Sequence, residues 1–124
     1  MENRLIKAWM STPVVTVSPE TKLTDARELT AEKQIRVLPV VENDKLVGII
    51  TKRGLLRLDL SMLGEDSWQI HSNFEEKKVG DSMTLKPLTI LPDSTVPKAA
   101  RVMLENKITA LPIVENGKVT GILT

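Results

Sequence analysis

Residues 37–49 read VLPVVENDKLVGI, and residues 110–122 read ALPIVENGKVTGI. The two stretches align without a gap at an offset of 73 positions, taken from Pro39 and Pro112 (112 − 39 = 73). The same offset carries Met10 onto Met83, Thr16 onto Thr89 and Pro19 onto Pro92. It also carries Ala26 onto Ala99, Ile35 onto Ile108, Gly48 onto Gly121 and Thr51 onto Thr124. A register held this far identifies two copies of one supersecondary unit, the signature of a repeat architecture.

Local signals give each copy the order β-α-β-β-α, preceded by a short helix expected at residues 2–9 for copy one and 75–83 for copy two. Residues 14–17 and 88–91 are short apolar runs closed by Pro19 and Pro92, and read as strands. Residues 22–33 place Leu23, Ala26, Leu29 and Thr30 on one helical face, with Thr21 as the expected N-cap. In copy two, Val96, Ala99, Ala100, Met103 and Leu104 form the same stripe, with Pro97 in the first turn. Two strands follow, at 37–41 and 46–51 and again at 110–114 and 118–123. Asn116-Gly117 is a strong hairpin signal, because both residues tolerate positive φ. Gly48 and Gly121 inside strands mark either a bulge or a close approach of backbone or ligand. Residues 52–60 read as a helix. One copy alone leaves an apolar sheet face uncovered, and two can bury those faces together. The expected fold class is therefore α/β in the α+β sense: tandem β-α-β-β-α repeats with pseudo-two-fold symmetry. Copy one occupies residues 1–60, 61–78 form a linker, and copy two occupies 79–124 without its final helix.

Composition removes several function classes. With 17 basic and 16 acidic residues the net charge is +1, which is no footprint for a nucleic-acid binder. The absence of cysteine excludes disulfides and thiolate metal sites, so the reducing cytoplasm is the expected location. No apolar run approaches the roughly 18 residues of a membrane span, and the first residues lack a secretory pattern. Catalysis finds no nucleophile–base pair, metal cluster or phosphate loop, so the chain is not expected to be an enzyme. His71, the one histidine, sits in the polar linker and reads as solvent-exposed. Glu75-Glu76-Lys77-Lys78 reads as a solvated helix face. Trp9 and Trp68 lie outside the repeated motifs and serve either as core covers or as partner contacts.

The strings IRVLPVV at 35–41 and LVGIITKR at 46–53, with ITALPIV at 108–114 and VTGILT at 119–124, resemble the CBS motif. The segments from Val17 to Ala26 and from Ile90 to Ala99 resemble its earlier part. The resemblance covers essentially the whole chain and is similar to stand-alone prokaryotic CBS pairs of the acetoin-utilisation type. It implies a regulatory module that binds AMP, ADP, ATP or S-adenosylmethionine in two clefts between the copies, with no required cofactor. Carried over, one cleft uses Ile49 and Thr51, with Lys52 and Arg53 at its mouth, and Met83, Pro87, Leu88, Ile108, Thr109 and Ala110. The other uses Ile122 and Thr124 with Met10, Val14, Val15, Ile35, Arg36 and Val37.

Two departures bear on that carry-over. The family's usual Asp three residues after the Thr, which holds the ribose hydroxyls, is Gly54 here. In copy two the sequence ends at Thr124, before that position. An interaction module that dimerises and takes no small ligand is therefore the alternative. A homodimer is expected in either case, with Leu55, Leu56, Met103 and Leu104 as candidates for its contact or for the core.

Overall fold

The computed structural model describes residues 5–6, 14–61 and 75–124. The elements run α1 (Leu23–Glu32), β1 (Val37–Glu42), β2 (Lys45–Thr51), α2 (Lys52–Ser61), β3 (Thr84–Leu85), α3 (Val96–Asn106), β4 (Leu111–Glu115) and β5 (Lys118–Leu123). One sheet has the order β1-β2-β3 and the other pairs β4 with β5. The contacts divide the chain into two compact units. The first consists of Thr16–Glu42 with Val47–Lys86, and the second of Pro87–Thr124 with Asn43–Leu46 and the stretch up to Val15.

The helix stripes become the cores. In the first unit Val17, Leu23, Ala26, Leu38, Val40, Ile50, Leu55 and Val79 are buried. In the second, Ile6, Ile90, Ala99, Leu111 and Ile113 form the cluster, with Val96, Val102, Met103, Ile108 and Leu123 packed against it. Leu55 thus belongs to the core, whereas Leu56 and Leu104 are exposed.

The segment leading into each copy is built into the other copy's unit, with matched contacts. Ile6 is fully buried in the second unit and its amide donates to the Ser94 carbonyl at 2.9 Å. Val79, its equivalent in the repeat, is fully buried in the first unit and its amide donates to the Thr21 carbonyl at 2.7 Å. The isolated bridges Leu5↔Thr95 and Lys22↔Lys78 repeat the same exchange. Lys78 Nζ also pairs with Glu20 Oε2 at 2.6 Å.

Three local expectations are corrected. Thr21 does not cap α1: the N-cap is Lys22, with no side-chain bond. The Leu23 amide instead donates to the Lys77 carbonyl, and the Thr21 hydroxyl accepts from the Ser18 amide. Residues 14–17 and 88–91 are not strands; each contributes one parallel bridge, Val17↔Val40 and Ile90↔Ile113. Prolines on both sides stop the ladder. Extending it upstream needs an amide proton at 39 or 112, and extending it downstream needs one at 19 or 92; all four residues are proline. The stretch 75–83 is not one helix: it contains a 3-10 turn at Val79–Asp81, followed by β3.

Both hairpins close through residues at positive φ, Asn43 (53°) and Asp44 (64°) in one and Asn116 (54°) and Gly117 (80°) in the other, as a two-residue primed turn requires. The two strand glycines do different jobs. A β-carbon on Gly48 would lie 2.9 Å from the Thr84 carbonyl oxygen, so this glycine admits β3. Gly121 follows a bulge, where pairing steps from Ile113↔Gly121 to Val114↔Val119 and the Thr120 hydroxyl donates to the Ile113 carbonyl at 3.3 Å.

Candidate functional site

In the first unit, β2 ends at Thr51 and α2 begins at once. The Thr51 hydroxyl accepts the Gly54 amide at 2.9 Å, an N-cap bond that anchors the first turn. The Lys52 amide donates to the Arg36 carbonyl at 2.8 Å, which joins the helix start to the approach to β1. Residues 35–37 and 51–53 are therefore neighbours. Ile35, Val37, Ile49 and Thr51 are half-buried, while Arg36, Lys52 and Arg53 are exposed. Met83 joins them along β2: a β-carbon on Gly48 would sit 2.6 Å from its sulfur.

The electrostatics of this corner are one-sided. The first turn of α2 carries no acidic residue. It places Lys52 and Arg53 at the helix end that already bears partial positive charge, an arrangement that opposes the macrodipole by about 0.3–1 kcal/mol per charge. An anion docked there reverses the sign of that term.

In the second unit the candidates fall on two surfaces. Ile108 and Thr109 line an open apolar groove of about 720 Å³ with Ala100, Met103, Leu104 and Lys107. Ala110 leads from there into β4. Pro87 and Leu88 precede Ile90, whose amide donates to the Pro112 carbonyl at 3.1 Å. Ile122, 8% exposed, lies opposite Pro112 in β5, and Thr124 is exposed just past the strand. Val14 and Val15 are half-buried. Met10, Trp9, Trp68 and His71 lie outside the described residues, as do the expected helix at 2–9 and most of the linker.

Among the described residues no group of three His, Asp or Glu side chains is placed to hold a metal ion. No helix among them is long and apolar enough to cross a membrane. The groove along α3 was not anticipated. The spacing of apolar residues in α3 signalled it, but one stripe cannot show which of its members a core will cover.

The CBS domain family matches residues 6–61 and 79–124, nearly the whole chain. The chain belongs to the CBS-domain family, as a tandem pair. This CBS pair is 35% identical over 129 residues to the chloroplastic CBS domain-containing protein CBSX2 of Arabidopsis thaliana, covering 87% of this chain and 54% of that protein. It spans about half the length of the curated CBSX relatives it matches. The structure of CBSX2 in complex with AMP superimposes with a TM-score of 0.80 at 35% identity, covering 97% of this chain and 89% of that one. A Vibrio cholerae protein assigned to acetoin utilisation, AcuB, gives a TM-score of 0.82 at 27% identity, over 99% and 85% of the two chains. The CBS domain pair of protein MJ0100, solved with 5-methylthioadenosine and S-adenosyl-L-methionine, gives 0.81 at 26% identity, over 99% and 90%. The mixed α/β repeat fold expected from the sequence, and its likeness to stand-alone CBS pairs, are borne out by these matches.

Proposed function

We propose that this CBS pair is a regulatory module that senses an adenosine-containing ligand and does not itself catalyse a reaction. The observation that carries the reading is the corner at Thr51: a capped helix start flanked by two exposed cations with no carboxylate in the first turn. A phosphate there would meet the Arg53 amide of that first turn and both cationic side chains. Relatives support the class of ligand, since CBSX2 was solved with AMP and MJ0100 with two adenosyl compounds. The proposed contacts are Ile35, Arg36, Val37, Ile49, Thr51, Lys52, Arg53 and Met83 from the first unit. From the rest of the chain they are Met10, Val14, Val15, Pro87, Leu88, Ile108, Thr109, Ala110, Ile122 and Thr124. Apolar members would wall a flat purine, and backbone groups would read its edge. A ligand that favours one arrangement of the pair shifts the population toward it, and that shift is the signal passed to a partner. The cysteine-free sequence supports a cytoplasmic location, and the exposure of Leu56 and Leu104 supports a homodimer.

A second reading has an observation of its own. Gly54 offers no carboxylate for ribose hydroxyls, which favours a dimerising interaction module without a small ligand. A thermal-shift panel of AMP, ADP, ATP and S-adenosylmethionine separates the two. Ligand at about a hundredfold over its dissociation constant stabilises the native state by about 2.7 kcal/mol. No shift with any of the four supports the interaction module. A shift that is lost in the double variant Lys52→Glu, Arg53→Glu supports the sensor.

A further inference from the structure

Asn116 and Gly117 form the whole turn of the β4–β5 hairpin, since Glu115 and Lys118 on either side are already paired. Asn116 is exposed, and no hydrogen bond holds its carboxamide among the described residues. The next amide nitrogen belongs to a glycine, so no neighbouring β-carbon hinders its approach to the carboxamide carbon. Attack by that nitrogen on the side-chain carbonyl is the reaction that makes asparagine a labile residue. An exposed turn tip offers little resistance to the rotation that the attack needs.

The turn also has a cationic neighbour. The γ-, δ- and ε-carbons of Lys45 would lie 3.5, 3.6 and 3.7 Å from a β-carbon on Gly117. The lysine stem therefore runs along the glycine, and the ammonium bonded to its ε-carbon holds positive charge beside the turn. The Leu46 amide, next in the chain, donates to the Gly117 carbonyl at 3.1 Å. Both residues come from the hairpin tip at Asn43–Leu46, which belongs to the second unit. The 73-residue offset sets Asn43-Asp44 in the place of Asn116-Gly117, also at positive φ. There the attacking amide belongs to an aspartate. Its β-carbon crowds the approach, and its carboxylate disfavours a developing anion.

We propose that Asn116 is a site of spontaneous modification, deamidating through a cyclic imide, and that Lys45 hastens the reaction. The Gly117 amide nitrogen gives up its proton and bonds to the Asn116 γ-carbon. The bond from that carbon to the side-chain nitrogen breaks, and ammonia leaves with the returned proton. Water then opens the imide at either carbonyl, leaving aspartate or isoaspartate; nothing is oxidised or reduced. Negative charge develops first on nitrogen and then on oxygen, and a cation held beside it stabilises that charge. In the isoaspartate the main chain runs through the former side chain and is longer, so the Gly117 carbonyl shifts and its bond to the Leu46 amide loosens. Ageing at this turn unties one hairpin tip from the other.

Peptide mapping by mass spectrometry on the full chain, incubated in mildly alkaline buffer, tests this, with Asn43 as the internal control. Lys45→Gln and Lys45→Arg change an exposed side chain, and thermal melts like that of the wild type establish that both are folded. Asn116 is expected to convert to aspartate and isoaspartate while Asn43 stays intact. Lys45→Gln is expected to slow the conversion severalfold, and Lys45→Arg, which keeps the charge, to restore it. In the isoaspartate form the Leu46 amide is expected to exchange its hydrogen faster than in fresh protein. An Asn116 that stays intact, or an Asn43 that converts as fast, overturns the site. A Lys45→Gln protein that converts at the wild-type rate overturns the part assigned to Lys45. Unchanged exchange at Leu46 overturns the loosening of the tip.

Discussion

Replacing Gly48 by alanine adds one methyl group at the place where β3 comes closest to β2. Its carbon would lie 2.6 Å from the Met83 sulfur, 2.9 Å from the Met83 γ-carbon and 2.9 Å from the Thr84 carbonyl oxygen. The methionine can swing aside. The carbonyl cannot do so alone, because β3 is paired through Gly48↔Leu85 and Ile49↔Thr84, and the Met83 amide is tied to the Val79 carbonyl at 2.9 Å. Carbon–oxygen contacts normally settle at about 3.3–3.6 Å, so β3 must retreat by roughly half an ångström. Overpacking of this kind costs about 1–3 kcal/mol. With an unfolding entropy of about 2.1 cal/mol/K per residue over 124 residues, each kcal/mol lowers Tm by about 4 °C, which puts the expected fall at about 4–12 °C. Gly54→Ala is the internal control. Its β-carbon would meet only the Thr51 hydroxyl, at 3.1 Å. A helical glycine replaced by alanine gains up to about 1 kcal/mol, so Tm should hold or rise by up to about 4 °C. Circular-dichroism melts of the two variants read both signs. A Gly48→Ala protein as stable as the wild type would refute the close approach of β3. Equal losses in both variants would refute the assignment of different roles to the two glycines.

Other substitutions probe the exchange and the helix start. Ile6→Ala should cost about 2–5 kcal/mol and raise amide exchange at Ile90, Leu111 and Ile113, far away in sequence, before it affects the first unit; the reverse order would contradict the exchanged segments. Thr51→Ala should lower stability by about 1 kcal/mol in urea unfolding without any ligand, the loss of an N-cap; no change would remove the cap. Lys78, hydrogen-bonded to and attracted by Glu20, titrates above the ordinary lysine range. Its raised value means the ion pair contributes fully below that range and is lost as pH climbs through it. The stability difference between wild type and Lys78→Met should therefore be present at neutral pH and vanish at strongly alkaline pH; a constant difference would assign the effect to packing.

Much of this was legible because the chain is written twice. The apolar stripes of α1 and α3, both hairpins and the helix start at Thr51 follow from periodicity, from Asn-Gly chemistry and from the 73-residue register. The four prolines at 19, 39, 92 and 112 also carried the information that the early strands are single bridges, but only once the parallel pairing is known does each missing amide proton fall on the ladder. What could not be read was long-range. Nothing local in Ile6 or Val79 says that each completes the other copy's unit, because burial there depends on partners about a repeat away. Gly48 admitted a bulge or a close approach on equal terms, and only the position of Thr84 decides. The candidate ligand residues were named by family likeness; the structure places residues 35–37 beside 51–53 through one backbone hydrogen bond and brings Met83 onto β2.

The sensor reading stands or falls on a titration of the ¹⁵N-labelled chain with AMP, followed amide by amide. Saturable shifts at residues 35–37, 51–54 and 108–110, absent in the Lys52→Glu, Arg53→Glu variant, are the predicted result. Unmoved amides at millimolar AMP, or shifts confined to positions away from these residues, would contradict it.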